Sequence, residues 1–263
     1  MWVAGWWPHA PLDDWPTGWR ISLATDSSKK LDWNEYYGGE GKLTREVLRQ
    51  RLKGKIWDMQ YSCLQNTLSP DGFRRWLNSQ AMSRKGAQQW FGLTCTTWTV
   101  MCRATMGRSD DLPWGFEDRP NVSAANEQLL CYVIQAVHAH LLSQGTVLEC
   151  PVGSAVLYVP IFTHCLHIIG GRFIVTYLGA YGSSTCKPVK LYFSSKAGWV
   201  QGLATERPAS GSLDTLAVSF SNKLGRAAMS GKKDVMARSS TYPDDFAIKA
   251  STLLAQHLQV FAD

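Results

Sequence analysis

Residues 31–55, LDWNEYYGGEGKLTREVLRQRLKGK, constrain the fold more than any other part of the chain. A short aromatic strand candidate runs into a turn containing Gly38, Gly39 and Gly41. The turn leads into an amphipathic helix whose Leu43, Val47, Leu48 and Leu52 share one face. IWDMQYSC then reads as a second short strand carrying Asp58, and SPDGFRRWLNSQ as a helix opened by Ser69 and Pro70. Strand, turn, helix and strand again is the order of an α/β sheet rather than of a bundle or a sandwich.

The alternation continues. QQWFGLTC is the next strand candidate, and the loop after it, TTWTVMCRATMGRSDDLPWGFEDRP, is long and polar, a type that is uncommon in compact domains unless it serves a function. Residues 122–145 predict a helix with Leu130, Val133, Ile134, Val137 and Leu141 on one face and Gly145 as the stop. His138 and His140 lie two apart on it, so they point to different sides and read as structural or solvent-facing. TVLECPVG follows as a short apolar strand ending in Glu149, then an apolar helix over 154–168. RFIVTYLGAYG and VKLYFSS, joined by the polar turn SSTCKP, close the series as two neighbouring strands. The expected fold is α/β: a doubly wound, mostly parallel sheet with an edge hairpin.

A chain of 263 residues has room for one large core, and 45% hydrophobic with 18% charged residues is ordinary globular composition. The organisation expected is a Trp-rich extension over 1–32, which holds five of the twelve tryptophans without periodicity, an α/β domain over 33–200, and a basic segment with a terminal helix over 201–263. The net charge of +6 owes much to Lys223, Arg226, Lys232, Lys233 and Arg238, a solvated loop or a weak pointer to a polyanion. Seven cysteines without a CxxC pair or a Cys/His cluster argue against structural zinc, and no metal is expected. Their odd number and apolar settings suggest reduced thiols and an intracellular protein of nucleus or cytoplasm. The first residues lack the basic start of a secretory signal, and 154–171 contains Pro160, His164 and His167 and is short for a span, so no membrane partner is expected.

In a doubly wound sheet, ligands bind beyond the carboxyl ends of the strands. Those junctions hold the Gly38–Gly41 turn, Asp58, Cys95, Glu149 and the turn at Lys187. The ordered set YYGGEGKLTREV, Asp58, FGLTCTTWT, LECPVGS and YLGAYGSSTCKPVKLYFSS resembles the S-adenosylmethionine-dependent methyltransferase fold, class I and Rossmann-like. More particularly, it resembles a divergent, mobile-element-associated branch of the cytosine-5 DNA methyltransferases. The resemblance covers about residues 33–200, with an echo in TYPDDFAIKAS near the end.

The resemblance implies S-adenosylmethionine as cofactor, with Gly39 and Gly41 against its methionine part and Asp58 on the ribose hydroxyls. It makes Cys95 the nucleophile that adds to cytosine carbon six and Glu149 the acid at ring nitrogen three, so that carbon five gains carbanion character. The implied partner is nucleic acid, DNA in the first place, with Lys187 and Lys190 meeting phosphates or a flipped strand and Trp98 or Trp114 stacking on a base. Thr94 stands where the family has proline, and Cys150 where it has a polar partner for the acid. Two alternatives stay open: a catalytically silent nucleic-acid-binding or scaffold protein of a mobile element, and an RNA or small-molecule methyltransferase.

Overall fold

The computed structural model describes residues 30–94, 96–99, 102–208, 217–221, 227–231 and 241–259. Cys95, the Trp-rich extension up to residue 29 and the five basic residues between 223 and 238 named above lie outside the described residues.

Six strands form one sheet: β1 (Leu31–Tyr36), β2 (Gly54–Trp57), β3 (Ser83–Phe91), β4 (Gly145–Pro151), β5 (Arg172–Tyr177) and β6 (Pro188–Phe193). Their order is β2-β1-β3-β4-β6-β5. β1 pairs in parallel with β2 and β3, and β3 with β4, while β6 runs antiparallel to both β4 and β5. This is the mostly parallel sheet with an edge hairpin that the alternation predicts. A separate two-stranded antiparallel sheet joins β7 (Ala217–Ser221) and β8 (Ala227–Gly231).

The helices are α1 (Lys42–Arg49), α2 (Pro70–Ala81), α3 (Arg103–Met106), α4 (Pro120–Leu141), α5 (Pro160–Ile168) and α6 (Asp244–Gln259). Successive strand residues face opposite sides, so each strand feeds two cores. Trp33, Trp90, Val147 and Leu191 pack with Leu43 and Val47 of α1 and with Phe246 and Leu254 of α6. Tyr36, Phe91, Leu148 and Tyr192 pack with Trp76 of α2, Leu129 and Tyr132 of α4 and Phe162 of α5. Burying each large apolar side chain of this kind stabilises the fold by about 1.5–3 kcal/mol, which favours a sheet covered on both faces over an open one.

Local chemistry sets the boundaries. Ser69 Oγ accepts the Gly72 N–H at 3.1 Å and Pro70 occupies the first turn, so α2 starts where its cap predicts. α4 starts at Pro120, two residues before the expected helix, because proline without an N–H fits the first helical turn. The single helix expected over 154–168 is instead a short 3₁₀ turn, Ala155–Tyr158, followed by α5. Pro160 divides them, since it lacks the N–H that a continuous helix needs and disfavours helical backbone at Val159 before it.

All five mutually parallel strands, β1 to β5, end on the same side of the molecule. Between β1 and β3 the connections diverge, one leading out to β2 and the next returning past β1, which is the crevice where ligands of such sheets bind. Among the described residues, no helix is long and apolar enough to cross a membrane, and no group of three or more His, Cys, Asp or Glu could hold a metal ion.

Candidate functional site

The exit of β1 is built around a carboxylate. Glu35 is buried in the strand's last turn of the pleat, and its Oε2 accepts the Thr44 N–H at 2.9 Å and the Thr44 hydroxyl at 2.6 Å. Its Oε1 is buried without a partner. Burial raises its pKa from 4.5 to about 7, against the lowering effect of the Thr44 bonds and of Arg45. Sequence reasoning missed this residue, although an acid placed three positions before Gly38 and its turn was visible.

Above Glu35 the chain turns through Gly39 and Gly41, with φ of 53° and 65°. Gly41 is the N-terminal cap of α1, and a Cβ there would overlap Ile56, whereas a Cβ at Gly39 would meet nothing within 4 Å. Glycine is required at the first for space and conformation, and at the second for conformation alone. Asp58, just past β2, accepts the Gly39 N–H at 3.1 Å through Oδ2 and the Gln60 N–H at 3.0 Å through Oδ1. Its own N–H donates to Gln65 Oε1 at 2.7 Å. The Gly39 carbonyl accepts the Tyr61 hydroxyl at 2.7 Å and also the Gln60 side-chain amide. Gly39 and Asp58, expected to share a ligand, are thus adjacent and bonded to each other.

Beside them, in the crevice where strand order reverses, lies a cavity of about 160 Å³ lined by Tyr37, Asp58, Gln65, Thr67, Trp76, Gly92 and Thr94 among others. Three of these residues carry buried polar atoms: the Tyr37 and Thr67 hydroxyls, which interact with each other, and Trp76 Nε1, which is buried without a partner. An unsatisfied buried donor costs about 1–3 kcal/mol, so the Trp76 indole N–H beside two hydroxyls favours a polar occupant. Thr94 brings the residue before Cys95 to this wall. Thr67 and Trp76 come from α2 and the turn before it, and no sequence pattern marked them.

Glu149 lies near the end of β4, next in the sheet to β3, at 9% exposure. It shares its face with Val147 and Leu191, whereas the cavity opens beside α2 and α4. It does not line the cavity. Lys187, φ 21°, precedes β6 at the same end of the molecule. Lys190 lies within β6, between β4 and the edge strand β5, with its Nζ 4.7 Å from the Phe173 ring centroid.

The base-stacking role expected for Trp98 is corrected. Its side chain is 3% exposed in the core, and the Arg108 guanidinium covers its ring at 3.4 Å. Arg108 donates to the Thr97 carbonyl at 2.9 Å, to Thr97 Oγ1 and to the Pro113 and Trp114 carbonyls at 3.2 Å. Buried Arg108 thereby folds the long loop upon itself, and the loop's polarity turns inward. Burial lowers the Arg108 pKa to about 10, which leaves it charged at neutral pH.

No protein-family model and no curated protein matches the chain. Among solved structures it is similar to the Dnmt2 methyltransferase of S. pombe, with 12% sequence identity and a TM-score of 0.38 over 63% of this chain and 49% of that one. It is also similar to the Entamoeba histolytica methyltransferase EhMeth, with 9% identity and a TM-score of 0.39 over 69% of this chain and 57% of that one. The chain spans about half the length of these structures.

Proposed function

We propose that this chain binds S-adenosylmethionine in the β1/β3 crevice and is a cytosine-5 methyltransferase-like protein acting on nucleic acid. The observation that supports this most is the polar cavity at the switch point, where the Tyr37 and Thr67 hydroxyls and the unpartnered Trp76 Nε1–H lie beside Asp58. At about 160 Å³ it falls below the roughly 300–1,000 Å³ of sites for whole drug-sized ligands. It suits one heteroaromatic ring, and the adenine would sit there with its nitrogens answering the three groups. The rest of the donor would follow the turn, where the space around Gly39 allows close approach. Glu35, with one oxygen unused beneath that turn, would take the donor's cationic end.

When bound, the donor supplies an electrophilic methyl group. The chain's own part is to make a cytosine carbon five attack it. The Cys95 thiolate would add to carbon six, Glu149 would hold the ring at nitrogen three, and a base would then remove the proton from carbon five and let the thiolate leave.

A second reading, a silent nucleic-acid-binding protein, has its own support. Asp58 and Gly39 already satisfy each other, and Tyr61 and Gln60 occupy the Gly39 carbonyl, so the turn is closed. One experiment separates the two. The full chain is incubated with S-adenosylmethionine and oligonucleotides carrying 5-fluorocytosine, in which fluorine replaces the proton that must leave. The expected result is a covalent protein–nucleic acid adduct that Cys95→Ser abolishes. Cofactor binding without an adduct on any DNA or RNA oligonucleotide would leave the silent or small-molecule readings instead.

A further inference from the structure

Position 150, next to Glu149, is a cysteine buried in the opposite core with Leu148. The hydroxyl that reaches Glu149 comes from the far end of the chain. The Tyr242 hydroxyl donates to Glu149 Oε2 at 3.4 Å, and its own oxygen, Tyr242 Oη, accepts the Trp90 Nε1–H at 3.1 Å. Trp90 stands next to last in β3, and a Cβ at Gly92 would lie 3.9 Å from the Tyr242 hydroxyl. One phenol therefore sits between the strand that leads to Cys95 and the strand that carries Glu149. Its ring stacks on Phe246 at 5.2 Å and meets Trp90 edge-on at 6.0 Å, which fixes the direction of the hydroxyl. Burial, with Glu149 and Glu35 nearby, raises the Tyr242 pKa well above its usual value, so the group keeps its proton and remains a donor.

We propose that Tyr242 is a positioning residue for Glu149, supplied by the segment before α6 in place of the polar neighbour that the strand itself lacks. The proposal rests on the role given to Glu149 above. An O–H···O distance of 3.4 Å is long beside the usual 2.5–3.0 Å, and such bonds at reacting sites shorten when substrate enters. Tyr242→Phe removes one oxygen and keeps both ring contacts.

The test is a double-mutant cycle on the full chain, read as the rate of adduct formation with the 5-fluorocytosine oligonucleotide at saturating S-adenosylmethionine. Tyr242→Phe should slow it about tenfold with the cofactor Kd unchanged. In a Glu149→Gln background the same change should add nothing, because the hydroxyl acts through the carboxylate. Equal slowing in both backgrounds would overturn the proposal. If the wild type forms no adduct, the cytosine-5 reading fails and carbon-13 NMR of carboxyl-labelled glutamate decides the contact by itself. The Glu149 signal, identified by its loss in Glu149→Gln, should move in Tyr242→Phe and stay in place in Ser251→Ala. An unmoved signal in Tyr242→Phe would overturn the proposal.

Discussion

Glu35→Gln should make the protein more stable at pH 8 by up to about 3 kcal/mol, the equivalent of moving one carboxyl pKa from 4.5 unfolded to about 7 folded. Between those values the folded chain holds a proton that the unfolded chain releases. Stability is therefore full below pH 4.5, falls as pH rises through this window, and stays at its lower level above about pH 7. Glutamine carries no charge to desolvate, can still accept from Thr44, and brings an amide where Oε1 now has no partner. His138, whose pKa burial lowers, gives the opposite slope, since its stability is lost as pH falls. The difference between variant and wild type isolates Glu35. Urea unfolding at pH 5 and pH 8 measures it, and parallel curves at both pH values would show that Glu35 ionises normally. The stabilised variant should bind a cationic donor less well, the usual exchange of function for stability at a site.

Gly72→Ala should destabilise the protein by about 2–3 kcal/mol, although alanine favours a helix interior by about 1 kcal/mol. Gly72 lies in the first turn of α2, and a Cβ there would overlap the backbone carbonyl of Asn66 and crowd Ser69 Oγ. A backbone atom cannot rotate away, so the turn from 65 to 67 must shift. Gln65, Asn66 and Thr67 line the cavity, and the change should loosen its wall as well as the fold. Gly39→Ala is the contrast. It adds a methyl group to open space and costs only the strain of a left-handed residue, about 1–2 kcal/mol. Denaturant unfolding of both variants checks the order, and a stabilised Gly72→Ala would contradict the packing described.

Much of the fold was legible because it is local. The β1 turn, the existence of α1 and α4 and the Ser69 cap of α2 are each written within a few residues, but the buried faces are not. α4 buries Val122, Ala125, Leu129, Tyr132, Val133, Ala136 and Ala139 rather than the expected Leu130, Ile134, Val137 and Leu141, and Leu141 and Leu48 are exposed. The edge hairpin followed from two β-rich runs separated by a short polar turn. What escaped depends on partners far apart in sequence. Trp76 becomes a cavity wall only when α2 packs on Tyr36 and Tyr37, with ring centroids 4.8 Å away in each case. Tyr242 meets Glu149 across 93 positions. Trp98 looked available because the loop around it is polar, but that polarity is spent on Arg108 inside the loop. Pro160, by contrast, lay in plain view within the stretch read as one helix.

The crevice's assignment to a methyl donor is tested most directly by calorimetric titration of the folded full chain with S-adenosylmethionine. The expected result is saturable binding of one equivalent, weakened at least tenfold in Gly39→Ala, whose fold is retained. Folded wild-type protein that takes up no donor, with the turn still closed by Asp58 and Tyr61, would contradict it.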